Sequence, residues 1–156
     1  MKAIIFGSSG QDGFYLTKLL EDKGYSVMGI TRSKPTGFVS VSNFDDVSEL
    51  IKKQQPDYVF HLAAISATSH ELLLDNYSTI VTGTINLLEA IKRHSASTRL
   101  FLSGSGLQFL NKGLPLNESA ELHAGSSYSM ARIPPHEWPS STGRPRFSES
   151  RIASMR

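Results

Sequence analysis

The sequence predicts an α/β fold, a doubly wound parallel sheet with helices on both faces. Three observations carry that prediction. Short apolar runs alternate with amphipathic segments from residue 2 to residue 105, the pattern of strands joined by crossover helices. A glycine-rich turn, GSSGQDG, stands at residues 7–13 between the first apolar run and the first amphipathic segment. The composition changes at Ile133, and four of the seven prolines fall in the 23 residues beyond it.

Each element has its own signal. KAIIF (2–6) is a short apolar run ending at Gly7 and reads as a buried strand. Residues 13–23 place Phe14, Leu16, Leu19 and Leu20 near helical spacing, with Gly24 as a C-terminal cap. YSVMGIT (25–31) is a second strand and the alternating GFVSVS (37–42) a candidate third. DDVSELIKKQQ (45–55) is a short helix stopped by Pro56, and DYVFHLAA (57–64) a buried strand. Residues 71–94 form the longest helix. Leu73, Tyr77, Ile80, Thr84, Leu87 and Ile91 make its apolar stripe, and Lys92, Arg93 and His94 suit its C-terminal dipole. RLFLSGS (99–105) is a further strand, and 106–124 reads as loop.

Bulk composition excludes several classes. A chain of 156 residues has the length of one domain, and 39% hydrophobic residues suffice for a core. No run of eighteen apolar residues is present, so no membrane span is expected. MKAIIFGSSG is too short in its apolar run for a secretion signal, and the chain has no cysteine. A cytoplasmic location is the expectation. Residues 134–156 carry four arginines against two glutamates, which is the whole net charge of +2. The body is neutral, with no basic face for nucleic acid. The five histidines lack metal-ligand spacing, so no metal is expected.

The glycine turn carries the chemistry. Gly7, Gly10 and Gly13 fall in the order strand, glycines, helix. A pyrophosphate rests on the free N–H groups of a helix N-terminus, and a Cβ in the turn would collide with it. This predicts a Rossmann-type dinucleotide site. The spacing excludes a phosphate-binding P-loop. The acid that would hold a ribose 2′-hydroxyl is missing after the second strand; MGITRSKPT (28–36) offers Arg32, Ser33 and Lys34 instead. Those cations and hydroxyls suit a 2′-phosphate, so NADP is expected over NAD. The alternative for Arg32 is a solvated loop cation.

With these motifs in place the chain resembles the extended short-chain dehydrogenase/reductase family. Within it, the likeness is to NAD(P)-dependent sugar-nucleotide epimerases and dehydratases of the GDP-mannose 4,6-dehydratase-like group. GSSGQDGFYLTKLLEDKGYSVMGITRS, PDYVFHLAAISATS (56–69), GTINLLEAI (83–91), LSGSGLQF (102–109) and SSYSMAR (126–132) carry the resemblance, over residues 2–133. It implies that Gly7, Gly10, Gln11, Asp12 and Gly13 line the pyrophosphate and that Arg32 meets the 2′-phosphate. Leu62, Ala63 and Ala64 would run beneath the adenosine–nicotinamide path. Tyr128 would be the catalytic tyrosine, exchanging a proton with a sugar hydroxyl. A phenol is a poor base near neutrality unless a cation sits beside it. The family has a lysine four residues on; this chain has Arg132, which keeps the charge but cannot itself relay a proton.

The family's third group is a Ser or Thr at the end of the fifth strand. Ser103 and Ser105 both qualify, and the alignment of the following residues prefers Ser105. Gly106 and Leu107 follow it, where a dehydratase would have an acid, which favours epimerisation or ketone reduction. Phe6 replaces the usual threonine before the first glycine, and Ser42 and Asn43 stand where an adenine-binding Asp is common. His61 reads as structural. The resemblance also implies a nucleotide-sugar substrate and a homodimer paired through the 71–94 helix.

Family members carry a second half that completes the sheet and forms the sugar-nucleotide pocket. Here Pro134 would break the catalytic helix, so the expected fold is an incomplete Rossmann domain (1–133) lacking the C-terminal substrate domain. The remaining 134–156 would be an irregular tail, and a shifted reading frame after Ile133 is the hypothesis for it. Translating the coding DNA in the other two frames tests that; no amphipathic helix in either would sink it. Two functions follow: an NADP-dependent sugar-nucleotide epimerase, dehydratase or reductase, impaired by truncation, or a non-catalytic NADP(H)-binding remnant.

Overall fold

The computed structural model describes residues 1–32, 39–65, 70–113, 115–117, 119–123 and 125–133. Ser33, Lys34 and the 134–156 segment lie outside the described residues. Four strands make one sheet: β1 (Lys2–Phe6), β2 (Ser26–Ile30), β3 (Tyr58–His61) and β4 (Arg99–Leu102). Their order is β2-β1-β3-β4 and every pairing is parallel. The register sets Phe6 beside Ile30 and His61, and His61 beside Leu102. All four strands therefore end in one row, and Gly7, Thr31, Leu62 and Ser103 form the rim beyond it. Ligands of doubly wound sheets bind at this carboxyl edge, where strand order reverses; here that point lies between β1 and β3.

Alternation along β1 divides the core in two. Ile4 and Phe6 join Val47, Ile51, Val59, Leu87, Ala90 and Ile91 on one face. Ala3 and Ile5 join Leu20 and Phe60 on the other. The first face is covered by α2 (Phe44–Gln54) and α4 (Gly83–His94), the second by α1 (Gln11–Asp22). Helix α1 ends in the glycine motif its sequence announces. Gly24 has φ +79°, its N–H reaches Glu21 O at 2.9 Å, and Tyr25 N–H reaches Leu20 O at 3.0 Å. Helix α2 starts on Asn43, whose Oδ1 accepts from Asp45 N at 2.9 Å and Asp46 N at 3.3 Å.

Two expected elements differ. Residues 39–42 of the expected third strand form no strand but a turn, and 37–38 lie outside the described residues. The segment is held from the helix side instead: Val41 is buried in the first core, and Asn86 Nδ2 donates to its carbonyl at 3.0 Å. The long helix is interrupted. A 3₁₀ turn (His70–Leu72) and α3 (Leu73–Asn76) lead into a π-helical turn, Tyr77–Thr82, before α4. Thr79, Ile80, Val81 and Thr82 are four β-branched residues in succession, which crowd an α-helical turn. The wider turn changes the phase of the stripe: N-terminal to it the buried residue is Asn76, not Leu73 or Tyr77.

Candidate functional site

The rim carries two groups of residues. The first surrounds a cleft of about 470 Å³. Its floor is the glycine turn. Gly7 has φ +90°, and a Cβ there would lie 2.8 Å from the Ala63 backbone nitrogen. A Cβ on Gly13 would overlap the Gly7 carbonyl oxygen, so this glycine lets α1 close onto the turn. Gly10 is the N-cap of α1 and no side chain caps it. The N–H groups of the first turn stay available to an anion. Gln11 and Asp12 stand exposed in that turn, and neither they nor Gly13 are among the cleft-lining residues.

Leu62, Ala63 and Ala64 form the β3 side of the cleft, and Thr31 and Arg32 the β2 side. Arg32 is exposed. The cleft adds residues the sequence reading did not choose. Ser9 Oγ and Thr31 Oγ1 are 2.8 Å apart, tying the glycine turn to the end of β2. Ser40 Oγ and Ser42 Oγ are also 2.8 Å apart, and both line the cleft. Asp75, Ser78 and Thr79 reach the cleft from α3 and the π-turn. Of the pair at the expected adenine position, Ser42 lines the cleft and Asn43 caps α2. Only the hydrophilic clusters of these loops hinted at the hydroxyls; the pairing across 22 residues between Ser9 and Thr31 has no local signature.

The second group gathers where α5 (Ser127–Arg132) meets the end of β4. Ser126 caps α5, its Oγ accepting from Ser129 N at 3.1 Å. The helical spacing turns Arg132 back toward Tyr128: Nε donates to the phenol oxygen at 3.3 Å, and the guanidinium carbon lies 5.3 Å from the ring centroid. Arg132 Nη1 donates to both Ser103 O and Ser103 Oγ, each at 2.6 Å. Arg132 is buried, Tyr128 half-buried. Ser105 is engaged elsewhere. Its Oγ accepts from Leu107 N at 3.2 Å and its N–H donates to Gln108 Oε1 at 3.0 Å, capping a 3₁₀ turn (Gly106–Gln108). The geometry thus groups Ser103 with Arg132 and Tyr128 and sets Ser105 apart as a cap.

His61 ends β3 between the two groups. It packs edge-on against Phe6 with centroids 6.3 Å apart. Burial, then the Arg132 charge, lowers its pKa to about 4, so it is neutral at pH 7. Among the described residues no group of His, Asp or Glu could hold a metal ion. No helix is long and apolar enough to cross a membrane, again among the described residues.

Known proteins place this arrangement. The chain is 31% identical to GDP-mannose 4,6-dehydratase of Yersinia enterocolitica, over 85% of this chain and 43% of that protein. It is 28% identical to GDP-mannose 4,6 dehydratase 2 of Arabidopsis thaliana, over 86% and 44%. The chain thus spans under half the length of the curated relatives it matches. Among solved structures, UDP-glucose 4-epimerase of Bifidobacterium longum in complex with NAD+ and UDP shares the fold, with a TM-score of 0.75, 18% identity, and coverage of 85% of this chain and 46% of that one. A dTDP-4-dehydrorhamnose reductase from Clostridium acetobutylicum gives a TM-score of 0.74 at 22% identity, over 85% and 46%. The family model described as NAD dependent epimerase/dehydratase matches residues 3–137, and the chain belongs to that family.

Proposed function

We propose that this chain is the cofactor-binding half of an NADP-dependent sugar-nucleotide oxidoreductase or epimerase. The observation that carries the reading is the shared rim: the glycine-turn cleft and the Tyr128–Arg132–Ser103 group stand at the carboxyl edge of one parallel sheet, with the end of β3 between them. The cleft fits a dinucleotide. Glycines leave room where Cβ atoms would intrude, and the α1 N-terminus faces it uncapped. When bound, the nicotinamide supplies the hydride acceptor and donor. The protein's residues hold and move the proton. Tyr128 exchanges it with a substrate hydroxyl; Arg132 orients the phenol and stabilises its anion; Ser103 completes the hydrogen bonding at the reacting group. Arg132 holds its own protons too tightly to pass one on, so the proton leaves Tyr128 through solvent or substrate. Arg32 selects the 2′-phosphate. The absence of an acid two residues beyond Ser103 or Ser105, at Ser105 and Leu107, favours epimerisation or ketone reduction over dehydration. Exposed Leu74 and Ile85 support pairing through the 71–94 segment, which light scattering would test.

A second reading has its own support. The described α5 stops at Arg132, with Ile133 extended at ψ 125°, as the residue before a proline must be. On that observation a non-catalytic NADP(H) binder is the alternative. Thermal melts of the chain with NADPH, NADP, NADH and NAD separate the cases. A rise with NADPH or NADP alone supports the proposed cofactor; about 2.7 kcal/mol is expected at 100 times the dissociation constant. Turnover of sugar nucleotides by that chain supports the enzyme, and binding without turnover supports the remnant. Melts indifferent to all four cofactors would sink both.

A further inference from the structure

A second, smaller cavity of about 50 Å³ lies between the end of β3, the π-turn and α5. His61, Thr84, Ser103 and Arg132 supply its polar wall. His61 is 2% exposed, and neither ring nitrogen has a hydrogen-bond partner. The Thr79 and Ile80 carbonyls lie beside the ring but outside hydrogen-bonding geometry. Arg132 is 8% exposed. Among the described residues its guanidinium meets only neutral acceptors, the Ser103 carbonyl and hydroxyl and the Tyr128 phenol. The ion pairs of the described residues, Arg93–Glu89 and Lys112–Glu121, are elsewhere on the surface.

A desolvated cation facing no counter-charge is unfavourable, as is a buried imidazole with both nitrogens unbonded. One small, acceptor-only ion supplies the guanidinium with a counter-charge and accepts from the one N–H of the neutral His61 ring. We propose that this cavity binds a single small monovalent anion, such as chloride, held by the Arg132 guanidinium, the Ser103 hydroxyl and one ring N–H of His61. Ser103 Oγ accepts from Arg132, which leaves its own proton free to point into the cavity. The volume admits a small ion: a site for one water needs roughly 10–15 Å³, and this cavity offers about 50 Å³. Charge sets the valence. His61 and Arg132 are the ionisable residues of the wall; burial and the guanidinium keep His61 neutral, leaving one positive charge for one negative one. The inference does not depend on cofactor binding or catalysis.

The test is a pair of thermal melts of the 156-residue chain at pH 7, in chloride and in gluconate at matched ionic strength. Chloride is expected to raise the melting point saturably, by roughly 4 °C at ten times its dissociation constant, and Arg132→Met to abolish the difference. If that variant does not fold, the wild-type His61 ring resonances read the same site. They should shift saturably with chloride and bromide and stay fixed with gluconate. Coincident melts with unmoved His61 resonances overturn the proposal. So does a chloride effect that never saturates or that survives in Arg132→Met.

Discussion

At the scale of single residues, Gly7 and His61 show two ways a position can be constrained. Gly7 combines φ +90° with a backbone contact that leaves no room for a Cβ. Gly7→Ala is expected to cost about 2 kcal/mol in denaturant unfolding and to abolish any cofactor-induced rise in melting point. The glycine was legible in the sequence, because strand, glycines and helix come in a fixed order. His61 was legible only as a structural histidine. Its depressed pKa comes from the sheet neighbours and from Arg132, 71 residues on in sequence. The sign of the pH dependence follows. The unfolded chain binds a proton at His61 near pH 6.5 and the folded chain only near pH 4. Stability from this residue is complete above pH 6.5 and is lost as pH falls toward 4, with a slope of at most about 1.4 kcal/mol per unit. His61→Gln should flatten that part of a pH series of urea melts; an unchanged slope would assign it to other groups.

At the scale of elements, caps and breakers decided the boundaries. Asn43 satisfies two N–H groups of α2, and Asn43→Ala is expected to destabilise the fold by about 1 kcal/mol, read as a lower urea midpoint at constant slope. Gly24 closes α1 with its positive φ, and Gly24→Ala should cost about 1 kcal/mol by the same assay. The Gly24 cap was legible in the sequence; Asn43 was read there as a residue at the adenine position, and only the structure shows it as a cap. The π-turn at Tyr77–Thr82 was not announced, although its β-branched run is the local reason for it. Apolar periodicity assumes one helical repeat throughout, and a change of repeat inside the helix accompanies the burial of Asn76. The strand expected at 37–42 failed for the opposite reason. Its alternation is real, but Val41 faces a helix rather than a sheet neighbour, and alternation cannot say which partner it faces.

At the scale of the whole molecule, the parallel register aligns the ends of all four strands, and both candidate sites lie along that one rim. Packing holds the rim in place. Leu87 is fully buried between α4 and the sheet, so Leu87→Ala is expected to cost about 3 kcal/mol. A broadened thermal transition should accompany it, with cofactor response reduced at the same temperature. By itself the sequence determined the fold class, the glycine turn, the Gly24 cap and the family. All of these are written in local order and periodicity, which survive in one dimension. Only the tertiary structure decided which serine meets Arg132, which hydroxyls line the cleft, and that His61 and Arg132 share a cavity. Those facts depend on contacts between segments tens of residues apart, and no local pattern of side chains encodes the distance across a sheet.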